Sequence, residues 1–206
     1  MTLFQQIVNG LILGSSYALI ASGLTIMFSV MKIINLAHGE LYMLGAYFTF
    51  YVSSVIGVNY LLSLIISILA IIILAIPLEK GVFRPTRGNM SATLLVSLGL
   101  SIVLQNVSLA IWGPGPKGIP TPYSHVIINV QGVLLTLQRL FIFIVSWVLM
   151  LAMHLFIQRT KIGKAIRATA QNREAATILG IRFDLIYTIT FALGCSLCAI
   201  AGALMG

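Results

Sequence analysis

Residues Arg159–Arg182 read RTKIGKAIRATAQNREAATILGIR and form the one strongly basic segment of an otherwise apolar chain. The segment holds six of the twelve Lys and Arg residues. It separates two apolar runs, Leu140–Ile157 and Leu185–Gly206. Each run has about the 20 residues that a membrane-spanning helix needs. Because Lys and Arg near the ends of spans are retained on the inside of the membrane, we predict that this segment is a cytoplasmic loop.

The composition of the chain excludes a soluble domain. Hydrophobic residues make up 59% and charged residues 8%, and the mean hydropathy is +1.07, whereas about a quarter of the residues of a soluble domain are charged. The apolar runs are continuous and lack the period of two of outer-membrane strands, so we predict an all-α integral membrane protein, a polytopic helical bundle. The net charge of +8 then reflects membrane orientation, and we expect lipid contacts and no nucleic-acid partner.

The lengths of the apolar runs predict about six spans. Residues 41–78 are too long for one crossing and are divided at Gly57–Tyr60. Parity then places residues 113–139 in an external loop and the N-terminus outside. Within that loop, residues 126–137 are expected to form a hairpin around Gln131-Gly132. The predicted spans are Ile7–Val30, Leu41–Ile56, Tyr60–Leu78, Ser91–Trp112, Leu140–Ile157 and Leu185–Gly206.

The basic segment is itself predicted to form one helix over Lys164–Leu179. It is rich in Ala, Arg, Lys, Glu and Gln, and Gly163 and Gly180 bracket it at positions where glycine commonly ends a helix. Its mixture of apolar and charged side chains suits two roles. It could lie on anionic lipid as a basic interfacial helix, or it could dock into the groove of a partner protein.

A second polar stretch, Lys32–Glu40 (KIINLAHGE), interrupts the first apolar region. The parity of the spans favours a short cytoplasmic turn in which Lys32 and Glu40 are solvated. In a second interpretation Glu40 is an intramembrane carboxylate with a function. In a third the helix is broken, with Gly39 permitting the break and exposed backbone lining a pathway. His38 and Glu40 are too few ligands for a metal site.

Small residues recur at helical spacing in the first and last predicted spans. Such residues let membrane helices approach closely, so most are expected to serve packing. These are Gly10, Gly14, Ser15, Ser16, Ala18, Ser22, Gly23, Gly202 and Gly206. A minority of polar residues in and near the first span are instead candidates for lining a narrow path for a small solute, namely Gln5, Gln6, Asn9, Ser15, Ser16 and Thr25.

Two cysteines, Cys195 and Cys198, form a CxxC pattern inside the last apolar run. A redox motif needs a stabilised, accessible thiolate, which an apolar helix does not provide. We therefore expect both residues to be packing residues.

Three segments together resemble a known family. Asn9–Leu19 reads NGLILGSSYAL, Ile34–Tyr47 reads INLAHGELYMLGAY, and Gly163–Gly180 ends in EAATILG and leads to Thr190–Gly194, TFALG. They resemble the permease subunits of branched-chain amino acid ABC importers, a family that also includes permeases for urea and short amides. EAAxxxG is the core of the cytoplasmic coupling motif of ABC importer permeases. Family members usually continue with further spans, so the resemblance implies a C-terminally truncated chain.

The resemblance implies one transmembrane permease domain over residues 1–206, with the coupling segment at residues 159–182 and the external loop at 113–139. The expected partners are a second permease subunit, two cytoplasmic ATPase subunits and a periplasmic solute-binding protein, in a bacterial inner membrane. The expected ATPase-coupling residues are Arg167, Arg173, Glu174, Ala175, Ala176, Leu179 and Gly180. The candidate pathway residues are Asn9, Ser15, Ser16, Asn35, His38, Gly39 and Glu40.

On this resemblance the chain is expected to move aliphatic amino acids by alternating access, with a urea or short-amide permease as the alternative. It is not expected to be an enzyme or to hold a cofactor, since these 206 residues contain no GxxxxGK[ST] phosphate loop. The competing class is an autonomous channel or secondary transporter. A carrier of that class tends to have interrupted helices in two repeated halves, and NxAHGE occurs only once.

Overall fold

The computed structural model describes residues 3–115, 117–119, 121, 127–130 and 133–206. Within them the chain forms helices joined by short connections, together with one β-hairpin. The helices are α1 (Leu3–Met31), α2 (His38–Phe50), α3 (Tyr60–Leu78), α4 (Met90–Trp112), α5 (Leu137–Arg159), α6 (Lys161–Gln171), α7 (Arg173–Ile178) and α8 (Phe183–Met205). The antiparallel strands are β1 (Ile127–Val130) and β2 (Val133–Thr136), and π-helical turns extend α2 over Tyr51–Val55 and α3 over Glu79–Phe83.

Among the described residues, five helices are long and apolar enough to cross a membrane: α1, α3 with its π-helical turn, α4, α5 and α8. The second predicted span, Leu41–Ile56, differs. Its α-helix, α2, has 13 residues and the π-helical turn adds five, so the continuous helix is about 27 Å long at 1.5 Å per residue, and it is not among these five. Five of the six predicted spans are therefore helices of crossing length. The predicted hairpin at residues 126–137 is confirmed by β1 and β2.

The bundle has two chemically different ends. One end, which we call the basic end, carries ten of the twelve Lys and Arg residues, on α6 and α7 and at or just after the ends of α1, α3, α5 and α7. The opposite end, which we call the hairpin end, carries the hairpin and the other two basic residues, Lys117 and Arg139. Gly57, with a φ of 77°, lies in the turn between α2 and α3 at the hairpin end, where the long apolar run was predicted to divide.

Helix α8 lies at the centre of the bundle, in contact with α1, α2 and α3. Glycines bring these backbones together: a Cβ at Gly23 would lie 2.7 Å from the carbonyl oxygen of Gly194, and a Cβ at Gly202 would overlap the carbonyl of Tyr42. Gly23 and Gly202 thus serve close packing as predicted. A Cβ at Gly10 or Gly14 would meet no atom of the described residues within 4 Å, so these two do not pack helices within this chain.

The interpretation of the two cysteines as packing residues is confirmed. Cys195 and Cys198 are free thiols, both fully buried in α8. The thiol of Cys198 donates a hydrogen bond of 3.1 Å to the carbonyl oxygen of His38, which joins α8 to the first residue of α2.

The basic segment is two helices and not the single helix predicted over Lys164–Leu179. Helix α6 begins earlier, where the Thr160 hydroxyl accepts a hydrogen bond from the Gly163 amide. The helix ends at Asn172, whose extended backbone (φ −152°, ψ 108°) breaks the hydrogen-bond ladder. The Asn172 side chain then caps α7 by accepting a bond of 3.0 Å from the Ala175 amide, because asparagine is among the best N-cap residues. Gly180, with a φ of 82°, follows the end of α7 as predicted.

Candidate functional site

The stretch Lys32–Glu40 is a break between α1 and α2, and it returns the chain from the basic end into the bundle. Lys32, with a φ of 54°, turns the backbone at the end of α1. Asn35 then holds the start of α2, since its side-chain oxygen accepts a hydrogen bond of 3.0 Å from the amide of Ala37. The amide of Leu36 is satisfied from α4 by the hydroxyl of Ser97, at 3.2 Å. Unwound backbone at membrane depth is tolerated where protein groups satisfy it in this way.

The first residue of α2 lies about halfway through the bundle. The Nε2 atom of His38 is 3.3 Å from the carbonyl oxygen of Ile20. Ile20 is eleven residues, or about 16 Å along the axis, from the end of α1 at Met31. The structure therefore fits a broken helix. The short solvated turn that the parity of the spans favoured does not describe His38 and Glu40. Lys32, at the basic end, is exposed.

Glu40 lies at a similar depth, half-buried between α2 and α4. Its Oε1 accepts hydrogen bonds from the Ser101 hydroxyl at 3.0 Å and from the Gln105 side-chain amide at 2.6 Å. Ser101 is eleven residues into α4, again about 16 Å from the basic end. A carboxylate at this depth is costly and is a functional-site hypothesis by default. Ser101 and Gln105 were not predicted from the sequence as partners of Glu40. Their polarity within the predicted span Ser91–Trp112 was the available signal.

Gly39 does not permit the break as predicted. Its backbone does not adopt a positive φ, and the only non-glycine positive φ among the described residues is at Lys32. A Cβ at Gly39 would meet no atom of the described residues within 4 Å. The glycine instead leaves open space beside Glu40. Asn35 and His38 are both buried, and Asn35 Nδ2 and His38 Nδ1 make no hydrogen bond to the described residues.

A cavity of about 390 Å³ opens at the hairpin end between α1, α5 and the last turn of α8. It brings together two of the candidate pathway residues, Asn9 and Ser16, with Arg139 at the start of α5. The Nη1 of Arg139 donates a hydrogen bond of 2.8 Å to the side-chain oxygen of Asn9. Ser15 does not line this cavity, and its hydroxyl donates to the carbonyl of Ile12 within α1 at 2.7 Å. The cavity is lined by Asn9, Ile12, Leu13, Ser16, Thr136, Gln138, Arg139, Ile142 and Met205.

The expected coupling residues fall on two sides of α7. Glu174, Ala175 and Leu179 are exposed, and Leu179 is 79% and the neighbouring Ile178 86% exposed. Ala176 is only 2% exposed and packs inward, so it does not contribute to an outer contact face. Gly180 is exposed after the end of α7. On α6, Arg167 is exposed and donates a hydrogen bond of 3.3 Å to the carbonyl of Gln158.

Arg173 connects α7 to the start of α8. Its guanidinium carbon lies 3.9 Å from the ring centroid of Phe183, within the range of a cation–π contact. The next groups inward form an ion network, in which Arg87 pairs with both Glu79 and Asp184 and its guanidinium carbon lies 4.6 Å from the ring centroid of Tyr187. Of the four acidic residues in the chain, two are thus in one network at the basic end.

Glu79 is the buried member of this ion network. It is 0% exposed, and its second oxygen accepts a hydrogen bond of 2.8 Å from the hydroxyl of Thr188 on α8. Arg84 pairs with Asp184 at the more exposed side. The network therefore ties the end of α3 to the first two turns of α8. It was not predicted from the sequence, although the pairing of scarce acidic residues with Arg84 and Arg87 was a usable signal.

Comparison with known proteins gives a consistent result over nearly the whole chain. A family model described as branched-chain amino acid transport system / permease component matches residues 6–206. The high-affinity branched-chain amino acid transport system permease protein BraD of Pseudomonas aeruginosa is 36% identical over 215 residues, which cover 98% of this chain and 70% of BraD. The corresponding protein LivH of Escherichia coli (strain K12) is 34% identical over 216 residues, with the same coverage. No solved structure is a significant match.

Proposed function

We propose that this chain is the membrane-spanning subunit of an ATP-driven importer of aliphatic amino acids. The chain belongs to the family of permease components of branched-chain amino acid transport systems. The match over residues 6–206 carries this conclusion. The proposed assembly contains a second permease subunit, two cytoplasmic ATPase subunits and a periplasmic solute-binding protein, in the inner membrane of a bacterium. ATP hydrolysis belongs to the ATPase subunits.

The charge asymmetry of the bundle supports the orientation. Ten of the twelve Lys and Arg residues lie at the basic end, so that end faces the cytoplasm and the hairpin end faces outward. The ATPase subunits then meet α6 and α7, and the solute-binding protein meets the hairpin end.

The outer side of α7 is the proposed ATPase contact. Ile178 and Leu179 are large apolar side chains, 86% and 79% exposed, at the aqueous end of the bundle. Exposed apolar clusters rimmed by polar groups mark protein interaction sites, and Glu174, four residues before Ile178 on α7, provides a charge beside this one. Ala175 is three residues before Ile178 and is exposed, and its small side chain permits close approach.

Movement of α7 has a continuous path to the membrane interior. Ala176 and Arg173 connect α7 to the bundle, and Arg173 contacts Phe183 at the start of α8. Helix α8 packs without a gap against α1 and α2 at Gly23 and Gly202. A displacement of α7 therefore shifts α8 as a packed unit.

The break between α1 and α2 is the proposed element that responds. Its polar groups lie at mid-depth and connect α1 through His38, α4 through Glu40, and α8 through the Cys198 thiol. Alternating access follows if these three connections rearrange together when the ATPases close. Unwound segments at the bilayer midplane are common at transporter binding sites.

The experiment that tests this function is purification of the tagged protein with its partners from native membranes, with and without Ala175→Arg. A long cation at Ala175 is expected to remove the ATPase subunits and leucine-stimulated ATP hydrolysis while the permease still folds. Ser54→Arg places the same charge on the exposed surface at the hairpin end, away from α7, and is the matched control for retention of the ATPase subunits. If Ala175→Arg retained both the ATPase subunits and leucine uptake, the proposed contact would be wrong.

The same preparation distinguishes a permease subunit from an autonomous channel or secondary transporter. A permease subunit is expected to move leucine into proteoliposomes only with its partners and ATP. Uptake by the purified chain alone, without ATP, would instead identify an autonomous channel or secondary transporter.

A further inference from the structure

The cavity at the hairpin end is lined by both apolar and polar side chains. The apolar ones are Ile12, Leu13, Ile142 and Met205. The polar ones are Asn9, Ser16, Thr136, Gln138 and Arg139. Its volume of about 390 Å³ lies in the range of small-molecule sites, which combine apolar walls with a few polar groups that fix orientation.

Arg139 provides a positive charge that has no carboxylate partner among the described residues. All four acidic residues of the chain lie elsewhere: Glu40 is at mid-depth, and Glu79, Glu174 and Asp184 are at the basic end. The bond to Asn9 uses one guanidinium N–H, whereas a guanidinium has five. Lys117, the other cation at this end, lies 6.0 Å from the ring centroid of Phe50 and does not line the cavity.

We propose that this cavity is an entry site for an α-amino acid with an aliphatic side chain, and that Arg139 binds its carboxylate. This inference rests on the proposed function and adds where and how the substrate is recognised. The planar guanidinium binds a carboxylate through two parallel N–H···O bonds. The side-chain oxygens of Asn9 and Thr136 are acceptors for the ammonium group, and the apolar lining residues contact the aliphatic chain.

The cavity also leads toward the break between α1 and α2. Ser16 lines the cavity on α1, and Ile20 lies one turn deeper on the same helix. The carbonyl of Ile20 is the group that His38 approaches at 3.3 Å. The inner limit of the cavity at Ser16 is thus about one helical turn, or about 6 Å along α1, from the mid-depth groups of the break. Arg139, which bonds to Asn9, lies eleven residues of α1 farther out than Ile20, or about 16 Å.

A site that binds a carboxylate distinguishes amino acids from urea and short amides, the substrates of the alternative considered above. Urea has neither a carboxylate for Arg139 nor an aliphatic chain for the apolar lining residues. Leucinamide keeps the side chain and the ammonium group of leucine and lacks only the carboxylate. It is therefore the probe that isolates the contribution of Arg139.

The test measures binding of radiolabelled leucine to the purified transporter complex without the solute-binding protein, which would impose its own selectivity. Arg139→Gln is expected to weaken leucine binding about tenfold or more, because hydrogen bonds to charged groups contribute strongly. Arg139→Lys keeps the charge without the fork and should recover part of that loss. Lys117→Gln removes the same charge at the same end outside the cavity and should bind leucine like the wild type.

Competition on the wild-type complex provides a measurement that does not depend on the folding of a variant. Leucine is expected to displace the label, and leucinamide is expected to need about tenfold or higher concentrations. Equal displacement by the two, or equal binding by Arg139→Gln and Lys117→Gln, would overturn the carboxylate site. Absence of saturable leucine binding would overturn it as well. Binding of phosphatidylglycerol to the wild type and not to Arg139→Gln would then assign Arg139 to a lipid phosphate.

The outcomes also separate this inference from the proposed function. If the complex imports leucine with ATP and Arg139→Gln imports and binds it equally well, only the entry site is wrong. If the wild-type complex with its solute-binding protein does not import leucine at all, both are wrong.

Discussion

Helices α4 and α8 have the same length, 23 residues, and nearly the same mean hydropathy, yet α8 lies at the centre of the bundle and α4 at its periphery. Two thirds (67%) of the membrane window of α8 is buried, against 17% for α4. The difference lies in side-chain size: α8 carries Gly194, Cys195, Cys198, Ala199 and Gly202 on its buried faces. Small side chains let α1 and α2 approach its backbone, so size, and not apolarity, selects the central helix.

The two helices hold the break between α1 and α2 from opposite sides. Helix α8 fixes its inner side through the Cys198 thiol and the packing at Gly202. Helix α4 contacts it through polar groups, with Ser97 on the Leu36 amide and Ser101 on Glu40. The central helix therefore provides a rigid support, while the peripheral helix provides hydrogen bonds that can exchange.

The largest expected effect comes from adding a side chain at the close contact of α8 with α2. In Gly202→Val, the new atoms would overlap the Tyr42 backbone, which cannot move without displacing α2. Overpacking typically costs about 1–3 kcal/mol and more where the backbone must shift. We expect this variant to lose the folded, monodisperse protein, as measured by size-exclusion chromatography in detergent.

Gly99→Val on α4 is the matched control for that substitution. A Cβ there would meet no atom of the described part of the chain within 4 Å. We expect a thermal midpoint close to that of the wild type. Equal loss of folded protein in both variants would contradict the contrast between a central and a peripheral helix.

A smaller effect is expected at the ion network that ties α8 to α3. Arg87→Gln leaves the carboxylate of Glu79, which is 0% exposed, with the Thr188 hydroxyl and no cation. Breaking a buried ion pair in this way costs about 3–5 kcal/mol. Arg84→Gln removes a half-exposed guanidinium that pairs only with Asp184, and exposed pairs contribute less than about 1 kcal/mol. Thermal unfolding of both variants measures the difference, and similar midpoints would assign no stabilising role to the burial of Glu79.

The sequence predicted the membrane class, five of the six spans, the hairpin and the small-residue packing at Gly23 and Gly202, because these depend on local composition and length. It left the depth of Glu40 open, because hydropathy does not distinguish a turn outside the membrane from a break within it. It also did not predict the division of the coupling segment at Asn172. Asparagine is tolerated inside a helix, and its capping of α7 depends on the tertiary position of that helix.

The smallest expected effects compare the two side chains that hold the break. Ser97→Ala on α4 leaves the part-buried amide of Leu36 without its acceptor, and an unsatisfied buried donor costs about 1–3 kcal/mol. Cys198→Ala on α8 removes a weak thiol donor from the carbonyl of His38, which also begins the hydrogen-bond ladder of α2. That carbonyl keeps a partner, so we expect a change below about 1 kcal/mol. Thermal unfolding in the same detergent compares the two. If Cys198→Ala were the more destabilised, the break would be held chiefly by α8, and the assignment of its exchangeable hydrogen bonds to α4 would fail.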